Sequence, residues 1–454
     1  MKKILGFCLL LLLFPLGVSW ASNGQMIIEI GEATLDKKKI IFQKPYLAEK
    51  FNVFETKLIK EFHSIFANDF SFYKKSFFII DPENEPVSDF DDKNFELWTS
   101  RQFKFITRYL FKKNIKKGAI DFKVELVDTY NRNVLISKKG HFYSRNLREK
   151  AHELTDLIFE KIENAPSIFR SKIIFVSDMM SKGSKKVKEL FSVDFDGRNL
   201  KRLTYHKGIV ISPSVSSDGK KVLYTLIRSG KGRKNLNLYS MNLKTRRQSI
   251  ISSRKGINSG AIFTSDGSKI ILTLSHTGNA EIYEVDLSSQ QLRKITHHFG
   301  VDVDPDLSKD GKILTFLSNR SGKAMIYLAD PSGKEKSVKR IGFVGQFNAT
   351  PRFSPEGSEI VFSSWMDNSF DIFKIKKDGS QIYRLTKNFG SNEEPSFSPD
   401  GEFIAFSSLK LKKRSRKLSV QNIYIMDRDG GIKGQITRDI GYCTTPRWYN
   451  PPKT

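Results

Sequence analysis

From residue 166 onward the chain alternates apolar and polar positions in runs of five or six residues, the period-two pattern of half-buried β-strands. Runs at 221–226, 269–274, 312–317, 359–363 and 402–407 each follow a turn built on an acidic residue and Gly. Those turns are Ser217-Asp218-Gly219, Ser265-Asp266-Gly267, Lys309-Asp310-Gly311, Pro355-Glu356-Gly357 and Pro399-Asp400-Gly401, with middle residues 48, 44, 46 and 44 positions apart. That spacing fits a unit of four short strands, one propeller blade. The acidic side chain can accept local backbone hydrogen bonds, and Gly takes positive φ without a Cβ clash. Second strands starting near Ile173, Val222, Ile270, Ile313, Ile360 and Ile404 make six blades. The first of these lacks an inner strand before it, while Thr445-Pro446-Arg447-Trp448 has nothing to pair with near the other end. Residues 445–448 are therefore expected to complete the blade begun at Ile173 and shut the ring, which protects open strand edges. Phe263, Phe353, Phe397 and Trp448 read as the beginnings of inner strands, packing between blades.

Ahead of the repeat the pattern is mixed. Strands are predicted over 26–31, 39–43 and 76–81, and a brief helix over 94–99. Phe54, Leu58, Phe62 and Ile65 recur at helical spacing, which predicts an amphipathic helix over 53–67. Stretches 102–110, 119–128 and 133–141 alternate like an antiparallel meander, and Leu147, Ala151, Leu154, Ile158 and Ile162 mark a second long helix. The predicted fold is an α/β N-terminal domain over 22–165 followed by an all-β six-bladed β-propeller over 166–454, closed by the C-terminal strand.

The first 21 residues change the address. Lys2 and Lys3 precede an apolar run over 4–18, and Ser19-Trp20-Ala21 follows. This reads as a secretory signal cleaved after Ala21. The run is shorter than the roughly 20 residues of a spanning helix, so the product is expected to be released and not membrane-embedded. Cleavage leaves Cys443 as the single thiol, and no internal disulfide can form. Hydrophobic content of 39% and charged content of 28% argue against a multi-span membrane protein and against wholesale disorder. The formal charge is +27 and unevenly spread: residues 22–165 hold 25 basic and 22 acidic groups, residues 166–454 hold 49 and 27. An anionic partner is thereby a candidate.

Catalytic signatures are missing. The chain has neither a Gly-x-x-x-x-Gly-Lys-Ser/Thr loop, nor a Gly-x-Gly-x-x-Gly fingerprint, nor a Gly-x-Ser-x-Gly elbow. Adjacent His297 and His298 would point to opposite sides of a strand and share a metal poorly. Asp302, Asp304 and Asp306 resemble the start of a calcium loop but lack its Gly and distal Glu. No catalytic residue, cofactor or metal is expected. The basic run Lys410, Lys412, Lys413, Arg414, Arg416 and Lys417 reads as a solvated interstrand loop, or alternatively as a contact for an anionic lipid, glycan or acidic protein. Nucleic acid does not suit an exported chain without a stacking platform.

With a signal, an α/β domain, six blades and no enzyme domain, the sequence resembles the TolB family of periplasmic Tol–Pal components. Local stretches carry the resemblance too: Val124-Glu125-Leu126-Val127-Asp128, the helix over 151–161, and Phe397-Ser398-Pro399-Asp400-Gly401 with Phe353-Ser354-Pro355-Glu356-Gly357. The resemblance implies a non-enzymatic periplasmic adaptor supporting outer-membrane integrity and envelope constriction during cell division. It implies that the propeller binds the peptidoglycan-associated lipoprotein Pal at its mouth, at Ser212, Asn258, Gly260, Asp302, Asp304, Asn348, Thr350, Glu393, Glu394 and Thr444. It implies that TolA engages the mature N-terminus: Ser22, Asn23, Gly24, Gln25, Met26, Ile27, Ile28, Glu29, Ile30, Gly31, Glu32 and Ala33. Other envelope proteins could share these surfaces. The family often has His before the Asn of the third mouth loop; this chain has Ile257 before Asn258. The alternative is an exported propeller that binds an anionic glycan or lipid surface.

Overall fold

The computed structural model describes residues 19–20, 26–27, 37–80, 95–228, 235–334, 337–411 and 419–452. The signal, its cleavage point Ala21 and the N-terminal TolA segment lie outside them, apart from a two-residue ladder of Ser19–Trp20 with Met26–Ile27. Most of the basic run after Lys410 lies outside them as well.

The N-terminal α/β layer has a mixed sheet. Lys38–Phe42 runs parallel to both neighbours, Phe77–Ile80 and Phe105–Asn114. Ala119–Asp128 and Asn133–Phe142 continue the sheet as antiparallel strands. Helix α1 (Val53–Phe70) starts at Asn52, whose Oδ1 accepts from Glu55 N while Glu55 Oε2 accepts from Asn52 N, both at 2.8 Å. This reciprocal pairing satisfies two amides that the first turn leaves without partners. Helix α2 (Phe95–Ser100) sets Trp98 against Ile41, Phe103 and Ile106 on the far face of the sheet. Helix α3 (Leu147–Glu163) ends at Asn164 in the left-handed region, φ 52°. The apolar stripes of α1 and α3 cover one sheet face, where Phe62 stacks on Phe142 at 4.7 Å.

Six four-stranded antiparallel sheets follow. Their inner strands, taken as blades 2 to 6 and then 1, are Ile209–Val215, Asn258–Phe263, Asp302–Leu307, Asn348–Phe353, Ser391–Phe397 and Cys443–Tyr449. The last pairs with Lys172–Ser177, Trp448 opposite Ile173 and Arg447 opposite Ile174, so the chain end closes blade 1 as the sequence implies. One expectation is corrected. Phe263, Phe353, Phe397 and Trp448 lie at or next to the far ends of the inner strands, not at their beginnings. The halves missed from sequence lie before a Pro, which ordinarily argues against a strand interior. Here Pro follows a bulged residue, where the ladder register already shifts.

Two side-chain devices repeat with the blades. In the acid–Gly turns, Asp218, Asp266, Asp310 and Asp400 each accept from a Ser or Thr hydroxyl two residues earlier and from the backbone amide two residues later. At the outer strand ends, Thr204, Thr296 and Thr386 accept from a third-strand amide at 2.9 to 3.0 Å and donate to the buried carboxylates Glu189, Glu281 and Asp371. Such pairing holds a carboxylate inside a sheet without leaving it unsatisfied.

The two layers share one hydrophobic core. Phe72 meets Phe195 and Phe403, and Tyr73 packs on Phe403 with ring centroids 5.1 Å apart. Tyr73 Oη donates to Asp400 Oδ2 at 2.5 Å and accepts from Ile168 N at 3.0 Å. Arg148 pairs with Asp196, and Lys75 with Asp429 at 2.9 Å. Asp196, Asp400 and Asp429 all sit in turns at the end of the ring away from the starts of the inner strands. The α/β layer therefore seats on that end, under blades 1 and 6. Tyr73→Phe leaves Asp400 and the Ile168 amide each short of a partner, and is expected to cost about 1–2 kcal/mol. A urea midpoint equal to that of the parent would show that these bonds carry no net weight.

Candidate functional site

The mouth, where the inner strands begin, is left uncovered by the α/β layer among the described residues. Five of the mouth positions named from the sequence occupy one structural role. Ser212, Gly260, Asp304, Thr350 and Glu394 have φ of 52°, 61°, 53°, 51° and 58°. Each marks the bulge where its inner strand slips register against the second strand. The sixth equivalent is Thr445, φ 49°, one residue beyond the Thr444 named from the sequence. These six residues ring the bore.

Hydroxyls of the preceding blade hold several of the bulges. Asp304 N donates to Thr273 Oγ1 at 3.3 Å, and Glu394 N to Ser363 Oγ at 3.1 Å. Below them the bore carries mixed charge. Arg352 Nη2 donates to Asp304 Oδ1 at 2.7 Å, and Asp306 Oδ2 accepts from Phe353 N at 2.7 Å. Glu394 accepts from Thr445 N. Burial, then the like charge of Arg352, pushes Arg447 down to about 10 against the pull of Asp304, Glu394 and Asp306. Burial, then neighbouring Glu394, pushes Glu393 up to about 7.

Asn258, Asp302 and Asn348 have a different role. All three are at most 1% exposed and hold their own loops. Asn258 Oδ1 accepts from Ser252 Oγ at 2.5 Å and from Arg254 N at 3.1 Å. Asp302 pairs with Arg320 at 2.7 Å. Asn348 turns its Nδ2 to Val344 O at 3.0 Å and Ser364 Oγ at 2.9 Å. They shape the mouth and offer little surface to a visitor.

The rim was missed in the sequence. Among the described residues, ten large hydrophobic side chains of the propeller are exposed, and seven of them lie in connections at the mouth. Phe299 is 88% exposed, with Val301, Phe343 and Phe347 near it in the chain's rim loops. Phe347 stacks parallel to Trp365 at 5.8 Å. A clustered apolar rim on an otherwise well-buried fold marks a docking surface. The available signal was an aromatic residue shortly before five of the six inner strands, as at Tyr205, Phe299, Phe343 and Phe347, Phe389 and Tyr442.

The groups that could do chemistry are otherwise engaged. Cys443 is fully buried, and burial pushes its thiol up to about 11, which keeps it protonated. His298 Nδ1 accepts from Gly300 N at 2.9 Å. Asp302, Asp304 and Asp306 separate onto different partners: Arg320, Arg352 and the Phe353 amide. Among the described residues, His152, Asp194 and Asp196 bring three potential metal donors together at the seat of the α/β layer. They are already paired with Asp69, Lys172 and Arg148. No helix among the described residues is long and apolar enough to cross a membrane.

A family model described as the TolB beta propeller domain matches residues 159–449. The chain is 32% identical over 203 residues to the protein TolB homolog of Chlorobium chlorochromatii, covering 45% of this chain and 44% of that one. It is 31% identical over 113 residues to the Tol-Pal system protein TolB of Desulfosudis oleivorans, covering 25% of each. These alignments span less than half the length of the curated relatives. The crystal structure of TolB from Acinetobacter baumannii superposes with a TM-score of 0.73 at 23% identity, covering 93% of this chain and 99% of that one, which is a likeness of fold.

Proposed function

We propose that this chain, which belongs to the TolB family, is a non-enzymatic adaptor of the Tol–Pal system that works in the periplasm. Its propeller mouth takes the lipoprotein Pal, and its mature N-terminus takes TolA. By joining the two it supports outer-membrane integrity and envelope constriction during division. The observation that carries this reading is the mouth itself: a rigid ring of bulged inner strands which, among the described residues, is uncovered by the α/β layer and bears most of the propeller's exposed apolar side chains on its rim. Rigid blades hold loop side chains in place at little entropic cost to binding.

The shared core makes the isolated propeller a poor reagent, so the test uses the full mature chain. Phe299→Asp changes a side chain that is 88% exposed and should leave the fold unchanged. It is expected to weaken binding of the soluble domain of Pal from the same cell at least tenfold by titration calorimetry. Unaltered affinity in both Phe299→Asp and Phe347→Asp would remove the mouth as the docking face. Deleting residues 22–33 is expected to abolish TolA binding and leave Pal binding intact.

A further inference from the structure

The two ends of the ring differ in charge. Among the described residues, the connections at the mouth carry twelve Lys and Arg against three Asp and Glu. The turns at the opposite end carry ten against ten. The propeller's basic excess is therefore concentrated at the face that the α/β layer leaves open. It is also uneven around the ring: eight of the twelve lie in the connections of blades 1 and 2, and the other four, Arg320, Lys323, Lys387 and Arg438, are spread over blades 4 to 6. Exposed Lys182, Lys185 and Lys186 of blade 1, Lys207 between blades 1 and 2, and Arg228 and Lys255 of blade 2 lie together on one side. The exposed aromatics Phe299, Phe343 and Phe347 border blades 3 to 5, and their two loops, 295–301 and 341–347, contain no Lys or Arg.

We propose that the mouth is divided in two, an aromatic sector over blades 3 to 5 that buries apolar surface and a basic sector over blades 1 and 2 that recognises an acidic patch on a protein partner and sets its rotation on the ring. This rests on the reading of the mouth as the docking face, and adds the partner's charge and orientation. A six-fold rotor offers six similar loops, so shape alone leaves a partner's rotation weakly defined. One charged sector opposite one apolar sector defines it. A protein suits the site better than a bilayer. The carboxylates Glu393, Glu394 and Asp304 lie in the bore beside Arg352 and Arg447, a mixed-charge centre that a protein projection can meet and a flat anionic surface resting on the rim cannot.

Rim charges act mainly on association rate, and buried apolar contacts act on dissociation. The test compares the full mature chain with the triple variant Lys182→Glu, Lys185→Glu, Lys186→Glu. A control, Lys244→Glu, Arg246→Glu, Arg247→Glu, makes the same change in net charge in an exposed turn at the opposite end. The probe is the soluble domain of Pal from the same cell, followed by stopped-flow at 20 and 200 mM salt. The expected result is at least a tenfold fall in association rate for the mouth triple at low salt, shrinking at high salt, with dissociation within twofold. The control should stay within twofold of the parent, and Phe299→Asp should speed dissociation instead. Equal slowing in both triples would overturn the proposal, because net charge alone would then be responsible. No slowing in the mouth triple, with Phe299→Asp still impaired, overturns the charged sector and leaves the docking reading standing. Failure of the parent chain to bind Pal overturns both. Vesicles containing phosphatidylglycerol are the second arm, and binding to them that the mouth triple abolishes, with Pal association unchanged, would make lipid the occupant and also overturn it.

Discussion

Truncation after Gly441 is expected to leave a chain with no cooperative thermal transition near that of the parent. The cut removes Cys443–Tyr449, the fourth strand of blade 1, and exposes the edge of Lys172–Ser177 at the centre of the ring. It deletes Trp448, 7% exposed, which packs on Phe403 and donates from Nε1 to Ser171 Oγ at 2.6 Å. It also takes the tail from beneath blade 2, where Asn450 O lies so close to Gly219 that an added Cβ would stand 2.0 Å away. Because the shared core includes Trp448, Cys443 and residues of both layers, loss of the strand reaches α1 and α3 as well. The milder Trp448→Ala should cost about 3–5 kcal/mol. Circular dichroism melts and gel filtration provide the check: a sharp melt of the truncated chain within a few degrees of the parent would show that closure contributes little.

Glu393→Gln is expected to stabilise the protein at pH 8 by an amount on the order of 2–3 kcal/mol. In the folded chain burial and neighbouring Glu394 lift its carboxyl from 4.5 to about 7. Below about pH 4.5 the group is protonated in both states and carries no penalty. Between 4.5 and 7 the unfolded chain releases its proton while the folded chain keeps it, so stability falls as pH rises. Above 7 the full penalty is present. Gln removes the titration, so its gain should be near zero at pH 4.5 and complete by pH 8. Urea midpoints measured across that range test it, and a gain independent of pH would point to packing in place of charge.

The parts of the fold legible in the sequence were those set by local backbone rules. Acid–Gly turns at a period near 46 residues gave blade number, and the unmatched 445–448 segment gave closure, because strand pairing leaves no inner strand without a partner. The inner strands themselves were read too short and from the wrong end. Pro213, Pro305, Pro351, Pro395 and Pro446 suppress the strand pattern, and only the bulge geometry shows why they are tolerated. At the mouth, polar type was a poor guide to accessibility. Asn258, Asp302 and Asn348 looked like surface groups, but each is buried and hydrogen-bonds a mouth loop. The exposed aromatics escaped notice for the opposite reason: in a sequence, Phe299 cannot be told from a core phenylalanine until its loop is placed.

Blade 1 also orders events in time. Its first three strands emerge from synthesis ahead of all the other blades, and its fourth emerges after every one of them, with residues 203–442 between. The edge of Lys172–Ser177 therefore has no partner until residues 443–449 exist. Five blades can assemble beforehand, but the circle is completed only once residues 443–449 have been made, and the seat for α1 and α3, which lies against that same blade, is finished at the same moment.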